Sequence, residues 1–326
     1  MAFFGGSTST TTAATDAKDV ELVDPPGDSI SCLDFSPTAD YLAVGSWNNE
    51  VRLYEIGVQG QSQGKAMFTH EGPVLSVCWN KEGNKVFSGG ADKAGRMFDV
   101  QTGQATQIAV HDAPIKCVKW IDAQGGILAT GSWDKTLKYW DTRQSTPVAK
   151  VDLPDRHIQM FNLNNPTTAY RTMVSPLKWQ TRVISCFTTA NGFAVGSIEG
   201  RVAIQYVDEK DSSLNFSFKC HRKDQGTTKD NTHVFAVNDM SFHPVHGTFS
   251  TLSTKRPDRS PVRTAFNKTG SLFAYAVSYD WSKGHSGMTS DHPNKVMLHV
   301  TKDEEIKVCG PRSQLLNEFQ RIVSVR

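Results

Sequence analysis

Two pairs of side chains in this sequence have the chemistry of metal ligands. His243 and His246 lie three residues apart, and Cys220 is followed directly by His221. Imidazole and thiolate groups are the ligands that zinc prefers, and zinc sites draw them from pairs at close, regular spacing. The two pairs here are irregularly spaced and fall in different predicted sheets. We therefore predict histidines at sheet rims and no bound metal.

Motifs that carry enzymatic chemistry are missing from the sequence. It contains no G-x-S-x-G nucleophile elbow, no phosphate-binding P-loop and no H-E-x-x-H zinc motif. The carboxylate run Asp303-Glu304-Glu305 is interpreted as a solvated terminal segment. The sequence thus predicts a protein without catalytic activity and without a cofactor.

One segment, residues 111–143, predicts a compact unit of three short strands. Its apolar runs at 115–120, 127–129 and 137–140 are separated by Gly and Asp, a pattern typical of strands. The segment ends in Tyr-Trp-Asp after a Gly-Ser-Trp-Asp turn, which is the signature of a WD-repeat propeller blade.

Polar side chains of this segment fit a hydrogen-bond relay across the sheet. His111, Asp134 and the Trp140 indole can satisfy one another through a hydroxyl, supplied by either Thr130 or Ser132. We interpret His111, Asp134 and Trp140 as structural residues.

The segment is one copy of a repeat. Equivalent turns begin at Gly45, Gly89 and Gly131, which lie 44 and 42 residues apart. This period is within the range of propeller blades, and 326 residues provide for about seven of them. The sequence therefore predicts an all-β fold, a WD-repeat β-propeller.

The period breaks after the third repeat. The next turn of this kind begins at Gly196, 65 residues after Gly131, too long for one blade and too short for two. Between them, residues 157–163 predict a third strand without the two strands that normally precede it.

A second break follows later in the chain. Residues 235–242 and 249–252 predict the first two strands of a blade, but Pro257 and Pro261 make the next segment a poor strand. A last blade is predicted over 262–299. We expect a seven-bladed pattern with five nearly whole blades and two incomplete ones.

Bulk properties exclude several classes of protein. The formal charge is only +2, from 35 basic and 33 acidic residues, so any basic site must be local. Six cysteines without a C-x-x-C pair favour reduced, buried thiols in a cytosolic or nuclear protein. No apolar run approaches the roughly 20 residues of a membrane span, which predicts no membrane insertion.

The chain divides into three predicted parts. Residues 1–18 are rich in Ser, Thr, Ala and Gly and predict a disordered leader. Residues 19–300 form the propeller, with a strand at 20–23 that closes the ring against the last blade. Residues 301–326 are a divergent C-terminal tail.

A Gly/Ser-rich loop near the end of the propeller is a candidate binding site. Trp281, Lys283 and His285 lie at its start. An indole beside a cation suits an extended peptide or an unpaired base, so we predict peptide or RNA binding there. The alternative is that Trp281 takes the place of a turn tryptophan such as Trp133.

A second basic cluster lies in a polar loop predicted over residues 208–231. It contains Arg222, Lys223 and Lys229, preceded by His221. Basic rims complement acidic peptides or RNA phosphates, and we include Arg222 and Lys223 among the predicted peptide- or RNA-binding residues. The same composition fits a merely solvated loop.

Several stretches resemble the messenger-RNA export factor family of WD-repeat nuclear pore proteins. They are GSWNNEVRLYEI from Gly45, ADKAGRMFDVQTGQ from Ala91, residues 111–143 and AYAVSYDWSKGH from Ala274, together with GSIEGRVAIQY, FKCHRKD and FHPVHGTFST. The similarity covers most of residues 20–300. It implies a seven-bladed propeller that binds the GLEBS segment of a GLFG-type nucleoporin and takes part in poly(A) RNA export.

The resemblance has further implications. It implies weak contact with single-stranded RNA, in which the loop of Trp281 and Lys283 is implicated. The family acts as a monomer within a complex, at the nuclear pore in the nuclear envelope and also in the cytoplasm.

The sequence departs from the family at the two breaks in the period. After Asp155 the family continues with two strands that are absent here, and after Thr251 it continues with a Gly-Ser-Asp-Gly turn and a Trp-Asp strand that are also absent. The tail from Cys309 differs as well. We interpret the short blades as the result of alternative splicing or a mis-joined gene.

An alternative function belongs to a relative in fold, the mitotic checkpoint propeller, which binds GLEBS-like segments too. The SIEGRVA motif is shared with it, whereas YDWSKGH and GSWDKTLKYWD favour the export factor. The alternative is therefore a mitotic spindle checkpoint or kinetochore scaffold, with mitotic checkpoint proteins as partners.

Overall fold

The computed structural model describes residues 19–123, 125–154, 157–224, 232–253, 261–279, 284, 286, 288–289 and 292–307. The predicted leader (1–18) and most of the predicted tail (308–326) lie outside the described residues. Within them, no helix is both long and apolar enough to cross a membrane.

Three four-stranded antiparallel blades follow a short first strand, β1 (Val20–Glu21). The first blade consists of β2 (Ile30–Phe35), β3 (Tyr41–Ser46), β4 (Glu50–Ile56) and β5 (Ser62–Thr69). The second consists of β6 (Val74–Trp79), β7 (Lys85–Gly90), β8 (Ala94–Asp99) and β9 (Gln104–Val110). The third consists of β10 (Ile115–Ile121), β11 (Ile127–Ser132), β12 (Thr136–Trp140) and β13 (Ala149–Asp152).

A two-stranded sheet and another complete blade come next. The short sheet pairs β14 (His157–Asn162) with β15 (Asn165–Val174). The complete blade contains β16 (Thr181–Cys186), β17 (Gly192–Ser197), β18 (Arg201–Tyr206) and β19 (Phe216–Lys219), with a 3₁₀ turn (Glu209–Leu214) before β19.

The rest of the chain forms two short sheets and the closing blade. The short sheets are β20 (Arg222–Asp224) with β21 (Thr232–Val234), and β22 (Val237–Phe242) with β23 (Phe249–Ser253). The closing blade combines β24 (Pro261–Phe266), β25 (Leu272–Val277) and β26 (Lys295–Val300) with β1, and α1 (Asp303–Ile306) follows it. These sheets confirm the prediction of an all-β propeller.

Six strands, which we call the inner strands, make the contacts between successive sheets: β2, β6, β10, β16, β22 and β24. Strand β24 packs against β2, β2 against β6, and β6 against β10, while β22 packs between β16 and β24. Because neighbouring sheets cover both faces, every residue of β17 is buried. This explains the apolar runs that predict the strands.

Repeated glycines in the second strand of each blade are required by this packing. An added Cβ would lie 2.9 Å from Val74 Cγ1 at Gly45, 2.5 Å from Ile115 Cγ2 at Gly89, and 2.8 Å from Val237 Cγ1 at Gly196; in each case the atom met belongs to the next inner strand. The regular spacing of these glycines in the sequence therefore marks the positions at which each blade packs closely against the next.

The third blade has no inner strand of a following blade against it. At Gly131 an added Cβ would meet, among described residues, only Cys117 Sγ of its own blade. Cys117 on β10 and Cys186 on β16 are both exposed, as is 47% of Ile184. Among the described residues, no strand covers this face between β10 and β16.

The predicted third strand at 157–163 is instead half of a hairpin. Strand β14 pairs with β15, which the sequence did not indicate. Ile158, Met160 and Met173 pack against Phe193 and Val195 of the neighbouring blade. This apolar contact holds the hairpin against the neighbouring blade, and no further strand pairs with it among the described residues.

The polar loop predicted over residues 208–231 is wrong for much of its length. Strand β19 pairs with β18, because Phe216 and Phe218 alternate along it and pack in the core. The sequence predicts that Pro261 makes its segment a poor strand, but in the structure Pro261 is the first residue of β24, where the missing N–H of proline is tolerated. Pro257 lies outside the described residues.

Strand β1 closes the ring, as the sequence predicts. Val20 pairs with Leu298 and Glu21 with Met297. Leu22 is only 2% exposed and lies in the core shared by the first and closing blades.

A polar network beside this strand fixes it further. His299 Nδ1 lies 2.7 Å from Asp19 Oδ1, and His299 Nε2 lies 2.9 Å from Glu305 Oε2. The Tyr275 hydroxyl donates to Asp19. Hydrogen bonds to the two carboxylates outweigh partial burial and raise the pKa of His299 to about 9.

The free energy of unfolding should fall as pH rises from 7 to 9.5. Histidine in the unfolded chain has a pKa of about 6.5, so the stabilisation is complete below that pH and lost as pH rises through 9. We expect a loss on the order of 1–3 kcal/mol, measured by urea denaturation. His299→Gln, which does not titrate, should flatten this slope; an equal slope in both proteins contradicts the assignment.

The open face between β10 and β16 predicts selective thiol labelling. A maleimide should modify Cys117 and Cys186 in the native protein and spare three buried thiols, Cys32, Cys78 and Cys220. Burial raises the pKa of Cys78 to about 12, which suppresses its reaction further.

Labelling is followed by peptide mass spectrometry in a Cys309→Ser background, because Cys309 lies outside the described residues. Urea-unfolded protein, in which all five thiols react, is the control. Native protection of Cys117 and Cys186 equal to that of Cys32 would show that the face is covered.

Candidate interaction surface

The candidate loop near the end of the propeller is anchored at both sides. Trp281, Lys283 and His285 themselves lie outside the described residues, so their binding role stays a prediction. The hydroxyl of buried Tyr279 donates to Gly284 O at 2.9 Å, and its ring meets that of His292 edge-on at 4.8 Å. These contacts hold the described ends of the loop together.

Arg222 and Lys223 lie on β20, outside the complete blades. Arg222 is half-buried and donates from Nη2 to Glu199 O at 3.1 Å, whereas Lys223 is exposed. Arg222 thus fastens the hairpin β20–β21 to the turn between β17 and β18, and Lys223 is available to a ligand.

That turn needs a glycine. Gly200 has a φ of +61°, and an added Cβ would lie 2.6 Å from Cys220 O and 2.8 Å from Phe235 O. Only glycine combines this backbone conformation with such close approach. The turn formed by the Ser-Ile-Glu-Gly motif therefore packs directly against the hairpin β20–β21 and the residues that flank it.

The polar residues of the third blade form a continuous chain of hydrogen bonds. Trp140 Nε1 donates to Thr130 Oγ1 at 2.8 Å, and Thr130 Oγ1 lies 2.7 Å from His111 Nε2. His111 Nδ1 lies 2.8 Å from Asp134 Oδ2, and Thr136 also donates to Asp134. Thr130 is thus the hydroxyl of the relay.

Ser132, the other hydroxyl considered, belongs to the turn. It donates to Ala113 O at 3.0 Å and accepts from Asp134 N–H at 3.1 Å.

The electrostatics of the relay favour a neutral imidazole. Burial lowers the pKa of His111, and Asp134 offsets only part of that effect. Burial opposes ionisation of Asp134, but the hydrogen bonds from Thr136 and His111 outweigh this effect. They hold the pKa of the Asp134 carboxyl far below its ordinary value. Every polar atom is satisfied, and the arrangement serves stability.

Versions of the relay recur in other blades. In the second blade His70 contacts Ser88 Oγ at 2.7 Å and Asp92 Oδ2 at 3.0 Å, with Phe98 in place of the tryptophan. Beside β23, His221 Nε2 contacts Thr251 Oγ1 at 2.9 Å.

The residues considered as metal ligands have other partners. His243 is buried; its Nδ1 accepts from His246 N–H at 3.1 Å and its Nε2 lies 3.2 Å from Gly270 O. His221 forms a hydrogen bond with the Thr251 hydroxyl. In the part of the chain that the structure describes, no group of three or more His, Cys, Asp or Glu is arranged to hold a metal.

The sequence did not reveal a further feature, at one end of the central channel. Each inner strand carries a β-bulge after its first residue. The bulged residues are Ser31, Leu75, Lys116, Arg182, Asn238 and Val262, and all six line one cavity of about 160 Å³. We call this cavity the channel mouth.

A bulge leaves its residue outside the ladder and re-aims its side chain. Equivalent bulges in six converging strands therefore point six side chains at the same space. Each bulged residue directly precedes a Cys, Ser, Val, Asp or Arg of the same strand, but this position can be recognised only once the register is known.

Comparison with known proteins identifies the family. The chain is 48% identical to the poly(A)+ RNA export protein of Schizosaccharomyces pombe, over 94% of this chain and 98% of that protein. It is 50% identical to mRNA export factor GLE2 of Chaetomium thermophilum, over 95% and 97% respectively. The chain belongs to the messenger-RNA export factor family of WD-repeat propellers.

Two other comparisons concern the fold. The domain family described as "Anaphase-promoting complex subunit 4 WD40 domain" matches residues 33–123. A solved structure titled "Structure of U3-55K" superimposes with a TM-score of 0.72 at 12% identity, over 87% of this chain and 99% of that one. Both are consistent with a WD40 propeller.

The alignment with the S. pombe relative extends over 348 positions, more than the 326 residues of this chain. The relative therefore has residues opposite gaps in this chain, in agreement with the short sheets.

Replacing the central hydroxyl of the relay should destabilise the protein. Thr130→Val keeps the shape but leaves the Trp140 N–H and the His111 ring nitrogen without a partner. We expect a loss of about 3 kcal/mol in the free energy of unfolding, measured by urea denaturation. The matched control is Thr106→Val, whose exposed hydroxyl makes only a 3.5 Å contact with Met97 O. Equal losses in the two variants contradict the relay's importance.

Proposed function

We propose that this chain is a non-enzymatic adaptor of the nuclear pore complex in the export of poly(A) messenger RNA. It binds the GLEBS segment of a GLFG-type nucleoporin and, more weakly, single-stranded RNA. The observation that carries the proposal is the 48% identity, along nearly its whole length, to a protein named for poly(A)+ RNA export. Its location is the nucleus and nuclear pore, and also the cytoplasm.

The proposal includes a seven-bladed ring in which two blades are short. The six inner strands and the hairpin β14–β15 support it, because the hairpin packs on the outer part of the β16–β19 blade. The propeller works as a monomer within a larger complex.

Two surfaces are assigned to binding. The loop of Trp281, Lys283 and His285 provides stacking and charge for an unpaired base or an extended peptide. Lys223 adds an exposed cation, and Arg222 holds its hairpin against Glu199. Basic side chains complement an acidic peptide and RNA phosphates.

The loop assignment is tested by Trp281→Ala with Lys283→Glu. Binding of oligoadenylate should weaken at least about tenfold, because stacking on an aromatic side chain contributes roughly 1–3 kcal/mol per base. Calorimetric titration measures this for oligoadenylate and for a GLEBS peptide.

The chain offers a matched control. Trp179 is 55% exposed and Lys178 lies 5.8 Å from its ring, so Trp179→Ala with Lys178→Glu removes the same pair elsewhere. This control should bind normally. If the Trp281 variant keeps both affinities while remaining folded, the loop assignment is wrong.

The role of the short blades is tested by restoring them. A GLEBS peptide is titrated against this chain and against a version carrying the residues that the S. pombe relative has opposite the gaps. Tight binding by both shows that the short blades are tolerated, and binding only by the restored version assigns the defect to them. Binding by neither overturns the nucleoporin proposal.

A further inference from the structure

Three cationic side chains meet at the channel mouth. Lys116 and Arg182 occupy bulge positions on β10 and β16, and Arg263 lies directly after the bulge of β24. Because no inner strand of a complete blade stands between β10 and β16 in the described chain, Lys116 and Arg182 are consecutive around the mouth. The short blade thereby concentrates positive charge on one side of it.

The guanidinium of Arg263 is held in place by the backbone. Its Nε donates to Ser31 O at 2.5 Å and its Nη1 to Val262 O at 2.8 Å. Carbonyls orient this cation, and its charge also acts on the Asp239 carboxylate.

Two partly buried carboxylates of the inner strands, Asp239 and Asp34, accept hydrogen bonds from backbone N–H groups. Asp239 accepts from Thr264 N–H at 2.8 Å, and Asp34 accepts from Trp79 N–H at 3.2 Å. Among the described residues no carboxylate lies within ion-pair distance of Lys116. Desolvation, and then the charge of Arg263, lower the pKa of Lys116, although the residue is exposed. An anion at the mouth would offset the repulsion between these two cations.

Apart from Ser31 and Asn238, the rest of the mouth is apolar and aromatic. Ile30, Leu75 and Val262 line it together with Trp47 and Tyr279. A ligand that places a charged group among the cations would therefore also contact hydrocarbon, as an amino-acid side chain with its neighbours does and a free ion does not.

Acidic residues precede the inner strands at this end of the ring. Glu71 leads toward β6 and Asp112 toward β10, and both are exposed. A long polyanion lying across the face would meet these carboxylates, whereas one anionic group entering the cavity would not. This favours a single group over a nucleic-acid backbone.

We propose that the channel mouth binds one phosphoryl group presented by a phosphorylated serine or threonine of a peptide. Lys116, Arg182 and Arg263 contact the phosphate oxygens, and the apolar lining receives the flanking side chains. Arginine forks match the geometry of phosphate, and three cations suit a dianion better than a monoanionic carboxylate. The site is independent of the proposed function in export.

The test uses the full chain and the probe acetyl-Leu-phosphoserine-Val-amide in calorimetric titration. We expect saturable binding that weakens at least about tenfold without the phosphate, and about tenfold in Lys116→Gln and in Arg182→Gln. Lys210→Gln, on the exposed 3₁₀ turn, is the matched control and should bind normally. Thermal melting checks that each variant is folded.

A pH series provides a measurement that needs no variant. The second ionisation of a phosphoserine has a pKa near 6, so affinity should fall between pH 7.5 and 5.5. Lys116, Arg182 and Arg263 do not lose positive charge as the pH falls over that range, so the fall in affinity must come from the phosphate. The same peptide with glutamate should show no such fall.

Four outcomes overturn the proposal. They are equal binding of the unphosphorylated peptide, unchanged binding by both Gln variants, inorganic phosphate binding as tightly as the peptide, and displacement of the peptide by oligoadenylate. The third would indicate a site for free phosphate, and the fourth a site for nucleic acid. Failure of the GLEBS titration leaves this test unaffected.

Discussion

The structure depends on a contact between its two ends. Blades of a propeller gain stability from both neighbours, so a ring that opens at one junction loses apolar contact on two faces. Here the junction is sealed by two paired residues of β1 and by Leu22, buried between the first and closing blades. Asp19, Tyr275 and His299 add a polar clasp at the same place.

Within the ring, polar and apolar requirements are divided between different strands. Glycines of the second strand allow the next inner strand to pack closely. Hydroxyls of the same strand form hydrogen bonds with the histidine that precedes the first strand of the blade. Thr130 and Ser88 do this in the third and second blades. Beside β23, where the residues of a turn aspartate and a Trp-Asp strand are missing from the sequence, His221 and Thr251 retain the first step alone. The relay thus occurs in a complete form in the third blade and in partial forms elsewhere.

Sequence reasoning recovered the repeating elements well, because a glycine every 42 to 44 residues and alternating apolar strands report directly on blade packing. It predicted two breaks in the repeat, the first from the interval between Gly131 and Gly196 and the second from the segment after residues 249–252. Two-stranded sheets, β14–β15 and β22–β23, lie at these places. It missed β15 and β19, whose partly exposed, polar-rich sequences become strands only through pairing with β14 and β18.

For the candidate site, the sequence shows which residues have the chemistry of ligands but not where their side chains lie in the fold. Arg222 has the composition of a phosphate ligand, yet its guanidinium is half-buried against the Glu199 carbonyl. Lys116, Arg182 and Arg263 are far apart in the chain, and no sequence motif links them. They meet because of strand register, a property that a single sequence does not display.

The six bulges have an evolutionary consequence. Their backbone geometry is imposed by the fold, but the side chains they carry differ in burial. Lys116 and Arg182 are exposed, so substitutions there change the chemistry of the mouth with little effect on packing. Val262 belongs to the core shared by the first and closing blades, and Leu75 is buried. Related propellers can therefore diversify the mouth at the exposed bulges while the ring that displays them stays the same.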